Sequence, residues 1–249
     1  MSQVGVVSQV GGLPQAVLWD LDGTLVDTEP AWIVAESKLA NRFGAQWNEA
    51  DDLAMVGTAL PHCAEYLRSK GVVGTDEAII DHLIAEVLST LSQGVPWQPG
   101  ALEFLAVLRE SGVRCALVTM SYRNMADQII ATAPSGVFEV VVAGDEVHNG
   151  KPHPEPYLTA ASLLGVEISR CVAFEDSPTG MASAEAAGAA VVGIERHVKI
   201  SAHPGRSRLL TLEGFSLADL GQVASGVVID RIGSGNNGED PVMVEGFQH

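Results

Sequence analysis

Five short apolar runs recur along the chain with helix-period segments between them, and that alternation restricts the fold to one class. The runs are Ala16–Trp19, Arg114–Val118, Phe138–Val142, Cys171–Phe174 and Ala190–Ile194. They are largely apolar and partly β-branched, as strands covered on both faces must be. Between them, Ala101–Ser111 follows Pro99 and stops at Gly112, a matched start and stop for a helix. Tyr122–Ala133, Pro154–Leu164 and Pro178–Ala187 also read as helices, the last ending at Gly188. Strands alternating with helices predict an α/β fold built on a parallel sheet.

One stretch breaks the pattern. From Val26 to Trp97 no convincing strand occurs. Ala31–Phe43 reads as a helix ended by Gly44. Asp76–Leu91 carries Ile79, Ile80, Leu83, Ile84, Val87, Leu88 and Leu91 as an amphipathic stripe. Thr75 suits its N-cap, and Asp76 and Glu77 suit its first turn. An all-helical insert after the first strand is expected, with Pro96 and Pro99 marking the return. The expected division is a core of 14–26 and 98–222, an insert of 27–97, and terminal segments of 1–13 and 223–249. Leu209–Leu220 is expected to add a last strand and a short helix. Gly233–Asp240 has no apolar period and is expected to be mobile.

Charge narrows the partners. The 249 residues hold 14 Lys and Arg against 31 Asp and Glu, a net charge of −17. Such a surface repels nucleic-acid phosphates and anionic lipid, so neither nucleic acid nor membrane is expected as a partner. A phosphorylated ligand would need a local positive site. With 47% apolar and 18% charged residues, the composition is that of a globular chain. No run of 18 apolar residues occurs, and the first residues, MSQVGVVSQVGGLPQ, lack the cationic start of a signal peptide. The expectation is a cytoplasmic protein, monomeric or weakly dimeric. Cys63, Cys115 and Cys171 fit neither a disulfide framework nor a zinc pattern.

Four features follow four of the predicted strands, at the edge where open α/β sheets bind ligands. Asp20-Leu21-Asp22-Gly23-Thr24 puts two carboxylates two residues apart at a turn. Like charges that close resist joint ionisation unless a cation or proton separates them, which suits a nucleophile beside a general acid/base. The same residues also suit a plain Asp/Gly turn. Thr119, with Met120 and Ser121, offers a hydroxyl and backbone N–H groups for a phosphoryl oxygen, or a simple helix cap. Lys151 lies in Gly150-Lys151-Pro152-His153-Pro154, where Pro152 biases it toward an extended shape. It can neutralise a phosphate or a carboxylate, or sit on a surface loop. Glu175 and Asp176, before Ser177-Pro178, offer hard oxygen ligands suited to Mg²⁺, or caps for the next helix.

Taken in order, WDLDGTLVDTEP, ALVTMS, GKPHPEPY and FEDSPTGMASAEAAGA resemble the haloacid dehalogenase-like hydrolase superfamily, in the branch with a small helical cap between the first two motifs. The resemblance covers about residues 16–220. It implies a Rossmann-like core, Mg²⁺ dependence and phosphoryl transfer through an aspartyl-phosphate. By position, Asp20 is implied as the nucleophile and Asp22 as the acid that then serves as base. Thr119 and Lys151 match the phosphoryl-binding positions. Asp20, the carbonyl of Asp22, and Asp176 match the metal ligands, with Glu175 beside them. The aspartate pair and the late acidic pair favour a metal-dependent phosphatase over a dehalogenase.

The cap is expected to select the substrate, a small phosphorylated metabolite such as a sugar phosphate, a polyol phosphate or phosphoglycolate. Glu29 near the hinge, the turn at Gly57-Thr58, and Arg123 are the candidate substrate contacts. Sugar-phosphate mutases of the family place a histidine twelve residues after the nucleophile; here that residue is Trp32. Hydrolysis is therefore expected, with a mutase or a silent phosphate-binding protein as the alternatives.

Overall fold

The computed structural model describes residues 12–55 and 58–232. Its centre is a six-stranded parallel sheet of β1 (Ala16–Trp19), β2 (Arg114–Val118), β3 (Phe138–Val142), β4 (Cys171–Glu175), β5 (Ala190–Ile194) and β6 (Arg206–Leu209). The strand order is β3-β2-β1-β4-β5-β6, the doubly wound Rossmann-like order. The order reverses beside β1, so the loops after β1, β2 and β4 splay around one crevice. Register levels those loops: Trp19 pairs with Leu117 on one side and Phe174 on the other.

Period-2 alternation in the strands sorts the core into two layers. Val17, Trp19, Cys115, Leu117, Val172 and Phe174 point one way, toward α5 (Ala101–Glu110), α6 (Arg123–Ile130) and α9 (Leu217–Ala224). Trp19 stacks on Phe174 with centroids 4.3 Å apart, and Phe104 and Phe215 meet Phe174 edge-on. Ala16, Leu18, Ala116, Val118 and Ala173 point the other way, toward α7 (Glu155–Leu164) and α8 (Pro178–Ala187).

The insert between β1 and α5 forms α1 (Glu29–Arg42), α2 (Glu49–Met55), α3 (Leu60–Ser69) and α4 (Asp76–Leu91). The stripe on α4 is buried against α1 and α3, and Thr75 caps α4 by accepting from the Ala78 N–H. The insert's buried residues and the first layer of the sheet belong to one continuous apolar cluster. Two linkers carry the insert, and they pair: Asp27 N–H donates to the Pro96 carbonyl and Gln98 N–H to that of Leu25. Among the described residues no helix is long and apolar enough to cross a membrane.

The chain end departs from expectation. The last strand is Arg206–Leu209, ending where the expected one began, and its helix follows at Leu217–Ala224. An edge strand reading RSRL has no apolar run to reveal it. Its arginines are held by Glu185 and Asp230, and the edge is covered by residues 229–231, where the Arg208 N–H donates to the Ile229 carbonyl and the Arg231 N–H to that of Arg208. Gly233–Asp240 lies outside the described residues.

Gly100, at the return to the sheet, sits at φ +81°, and a Cβ there would lie 2.5 Å from the Glu213 backbone nitrogen. Gly112 has φ +68° and open space around it. Gly112→Ala should therefore cost only about 1 kcal/mol, the penalty of a left-handed backbone. Gly100→Ala adds a backbone clash and should cost about 3 kcal/mol. Urea unfolding of the two variants checks this, and equal losses would refute the close approach.

Candidate active site

The loop after β1 brings Asp20 and Asp22 to the crevice, and a sharp turn at Gly23 makes room for the loop after β4. Gly23 lies at φ +84°, and a Cβ there would fall 2.0 Å from Asp176 Oδ2. Gln98, buried in the return linker, donates through Nε2 to the Gly23 carbonyl at 3.0 Å and ties the turn to the insert's hinge. Thr24 donates to Asp176 Oδ1 at 3.4 Å.

Lys151 reaches in from the loop before α7. Its ammonium is buried and lies 2.7 Å from Asp20 Oδ1, 2.6 Å from Glu175 Oε1 and 2.8 Å from the Val118 carbonyl. Burial alone would push this amine down, but Asp20 and Glu175 outweigh it and hold the ammonium charged. Glu175 is fully enclosed: Tyr157 donates to Oε1 at 2.6 Å and Ser177 to Oε2 at 3.3 Å. A Cβ on Gly180 would sit 2.0 Å from either oxygen of Glu175, so the first turn of α8 carries a residue small enough to cover that carboxylate. Ser177 caps α8 by accepting from the Gly180 N–H.

Three carboxylates share this one ammonium. Asp20, Glu175 and Asp176 each offer an oxygen within 4.8 Å of the others. Burial, then repulsion from Glu175 and Asp22, raises Asp20 to about 7 against the pull of Lys151. Burial, then Asp20 and Glu175, raises Asp176 well above the carboxylate range. Asp20 Oδ2 is buried and has no hydrogen-bond partner among the described residues. Buried like charges with an orphaned oxygen between them fit a divalent cation, which the hard oxygens of Asp20 and Asp176 suit.

Asp22 is held apart from that group. Its Oδ1 accepts from Thr28 at 2.6 Å and from Trp32 Nε1 at 3.5 Å. Its Oδ2 accepts from Thr119 at 3.1 Å and from Ser121 at 2.7 Å. Thr119 Oγ1 also accepts from the Ser121 N–H at 3.0 Å. The donors gathered here, hydroxyls at the end of β2, suit any anionic oxygen, a phosphoryl as well as a carboxylate. Met120 lines the same cavity and accepts from the Lys151 N–H through its sulfur.

The insert closes the cavity from above. Glu29, Trp32 and Glu36, on one face of α1, line it opposite Asp20 and Lys151, with Met55, Thr58, Leu60 and Cys63. Burial raises both Glu29 and Glu36 to about 7. Glu36 is 5% exposed and accepts only from Cys63 Sγ, at 3.3 Å. The pairing with Glu36 and its own burial push the Cys63 thiol up.

The fold thus gathers Asp20, Asp22, Thr119, Met120, Ser121, Lys151, Glu175, Asp176 and Glu29 around one crevice. It does not bring Arg123 there. Arg123 opens α6, and its guanidinium turns outward to Asp127 at 2.9 Å and Glu146 at 3.1 Å, away from the cavity. Gly57 lies outside the described residues. Sequence reasoning missed Glu36, Tyr157 and Arg196. Spacing could have found Glu36, since Glu29, Trp32 and Glu36 recur at i, i+3 and i+7 on one helix face. No local signal marks Arg196, whose Nε and Nη2 are buried after β5 without a hydrogen-bond partner. Burial lowers its pKa, against the nearby charges of Asp27, Asp176 and Glu213.

The family model of haloacid dehalogenase-like hydrolases matches residues 17–194. The protein CbbY of Rhodobacter capsulatus is 34% identical over 195 residues, covering 72% of this chain and 84% of its own. Hexitol phosphatase A of Escherichia coli (strain K12) is 33% identical over 179 residues, covering 71% of this chain and 81% of its own. The crystal structure of CbbY from Rhodobacter sphaeroides in complex with phosphate superposes with a TM-score of 0.69 at 26% identity, covering 84% of this chain and 97% of that one.

Glu36 generates a pH prediction. Its carboxyl is raised in the folded protein, from 4.5 to about 7. The stability it contributes is complete below pH 4.5 and is lost as pH rises through about 7, a loss of about 3 kcal/mol. Glu36→Gln should match wild type at pH 4 and melt at a higher temperature at pH 8. Identical melting of the two proteins at both pH values would show that the carboxyl is not desolvated.

Proposed function

Because the chain belongs to the haloacid dehalogenase-like hydrolases, we propose that it is a Mg²⁺-dependent phosphatase releasing phosphate from a small phosphorylated sugar or polyol. It is a phosphoric monoester hydrolase, as its phosphatase relatives are. The observation that carries the reading is Asp20. Lys151 pins one of its oxygens and leaves the other buried and, among the described residues, without a hydrogen-bond partner, in a residue that lines the crevice.

Asp20 attacks phosphorus, forming an oxygen–phosphorus bond as the ester oxygen departs. Asp22 gives its proton to that oxygen. In the second step Asp22 takes a proton from water, the water oxygen bonds to phosphorus, and the bond to Asp20 breaks. One group can serve as acid and then base because each step leaves it in the state that the next one needs. Thr119, Ser121 and Lys151 donate to the phosphoryl oxygens. Asp20, Asp176 and the carbonyl of Asp22, backed by Glu175, would hold Mg²⁺, which would supply charge neutralisation for the transferring group. Glu175 also fixes the Lys151 ammonium, with Tyr157 fixing Glu175 in turn. Residues 27–97 act as a cap on a core of 14–26 and 98–222 and exclude water from the crevice.

Trp32 supports hydrolysis over sugar-phosphate isomerisation. At the position where the family's mutases carry histidine, its indole donates to Asp22 and cannot titrate.

Phosphate release from a panel of sugar, polyol and short-acid monophosphates, with Mg²⁺ and with EDTA, tests the assignment. Asp20→Asn should lower kcat by about a thousandfold or more while keeping the wild-type fold by circular dichroism. Substantial remaining turnover would remove Asp20 as nucleophile. Asp176→Ala should raise the Mg²⁺ concentration for half-maximal rate at least about tenfold. An unchanged metal titration would remove Asp176 from the metal site.

A further inference from the structure

The far end of the cavity is electrically one-sided. Lys151 is the only lysine or arginine lining it among the described residues, and that ammonium is shared by Asp20, Glu175 and the Val118 carbonyl. Opposite it, α1 presents Glu29 and Glu36. Neither makes an ion pair among the described residues, and the nearby His197 is bonded to Asp27 at 3.2 Å. Glu36, 5% exposed, accepts on Oε1 from the weak thiol donor of Cys63, and its other oxygen has no hydrogen-bond donor among the described residues. Burial has already raised both groups to about 7, so each is costly to keep charged even with the cavity open to water.

A substrate seated with its phosphate between Lys151 and the β2 hydroxyls must point its other end toward this wall. A carboxylate or second phosphate there would face two carboxyls with no lysine or arginine beside them among the described lining residues and with His197 already paired to Asp27, and like charges so placed disfavour binding. Hydroxyl or ammonium hydrogens would instead meet acceptors. Resting on the phosphatase reading above, we propose that Glu29 and Glu36 are specificity-determining residues. They reject substrates with a second anionic group and admit monophosphates whose distal end carries only hydrogen-bond donors. Selection works here through the unfavourable partner as much as through the favourable one.

Two matched pairs test this, because each differs only by an alcohol against a carboxylate at the far carbon. They are glucitol 6-phosphate with 6-phosphogluconate, and glycerol 3-phosphate with 3-phosphoglycerate. Phosphate release is measured with Mg²⁺ at pH 8. In wild type, kcat/KM should favour the alcohol at least about tenfold in the better-used pair. Glu36→Gln and Glu29→Gln should each shrink that preference at least about threefold, mainly by lowering KM for the acid. A merely structural role would lower both members of a pair alike. An acid hydrolysed as fast as its alcohol in wild type, or a preference unchanged in both variants, overturns the proposal while leaving the phosphatase reading intact. Release from none of the four compounds overturns both.

Discussion

The Lys151 ammonium, buried against Asp20 and Glu175, is the interaction on which the rest of the site depends. Three carboxylates meet at the ends of β1 and β4, whose residues are all buried, where each charge is poorly solvated. Burial is the main cause that raises Asp20 and Asp176, and repulsion among three acids sharing one nearby ammonium adds to it. Buried ion pairs seldom add net stability, because desolvation offsets attraction. Here the clustered oxygens of Asp20, Glu175 and Asp176 suit a divalent cation, which would offset the charge that Lys151 alone does not.

Around that centre the fold separates two jobs. The sheet edge supplies fixed chemistry, because register levels the ends of β1, β2 and β4 to within one residue. The insert supplies the facing wall, because α1 brings Glu29, Trp32 and Glu36 to the crevice from a different part of the chain, and the proposed role of that wall is selection. Asp22 joins the two. It accepts from Thr119 and Ser121 of the core and from Thr28 and Trp32 at the insert's base. The paired linkers at Asp27–Pro96 and Leu25–Gln98 hold that junction together.

Much of this was legible in the residues. The five apolar runs coincide with five of the six strands, because a doubly covered strand has to be apolar throughout. The stripe of α4 was legible for the complementary reason, a single buried face at period 3.6. β6 was hidden because its arginines meet their acids only across the sheet edge. Arg123 shows the opposite failure. A cation five residues past a strand end looks available to an anion, yet Asp127 and Glu146 take it, and only Glu146's placement depends on the tertiary fold.

By itself the sequence determined the fold class, the order of the motifs and the kind of chemistry they carry. Those depend on local periodicity and on which functional groups follow each strand. The tertiary structure decided which groups meet. It buried Glu175 under α8 and Tyr157, set Glu36 opposite Lys151, and turned Arg123 to solvent. Each outcome rests on contacts between residues distant in the chain, and on the loss of water that comes only when the elements pack, so no local pattern encodes it.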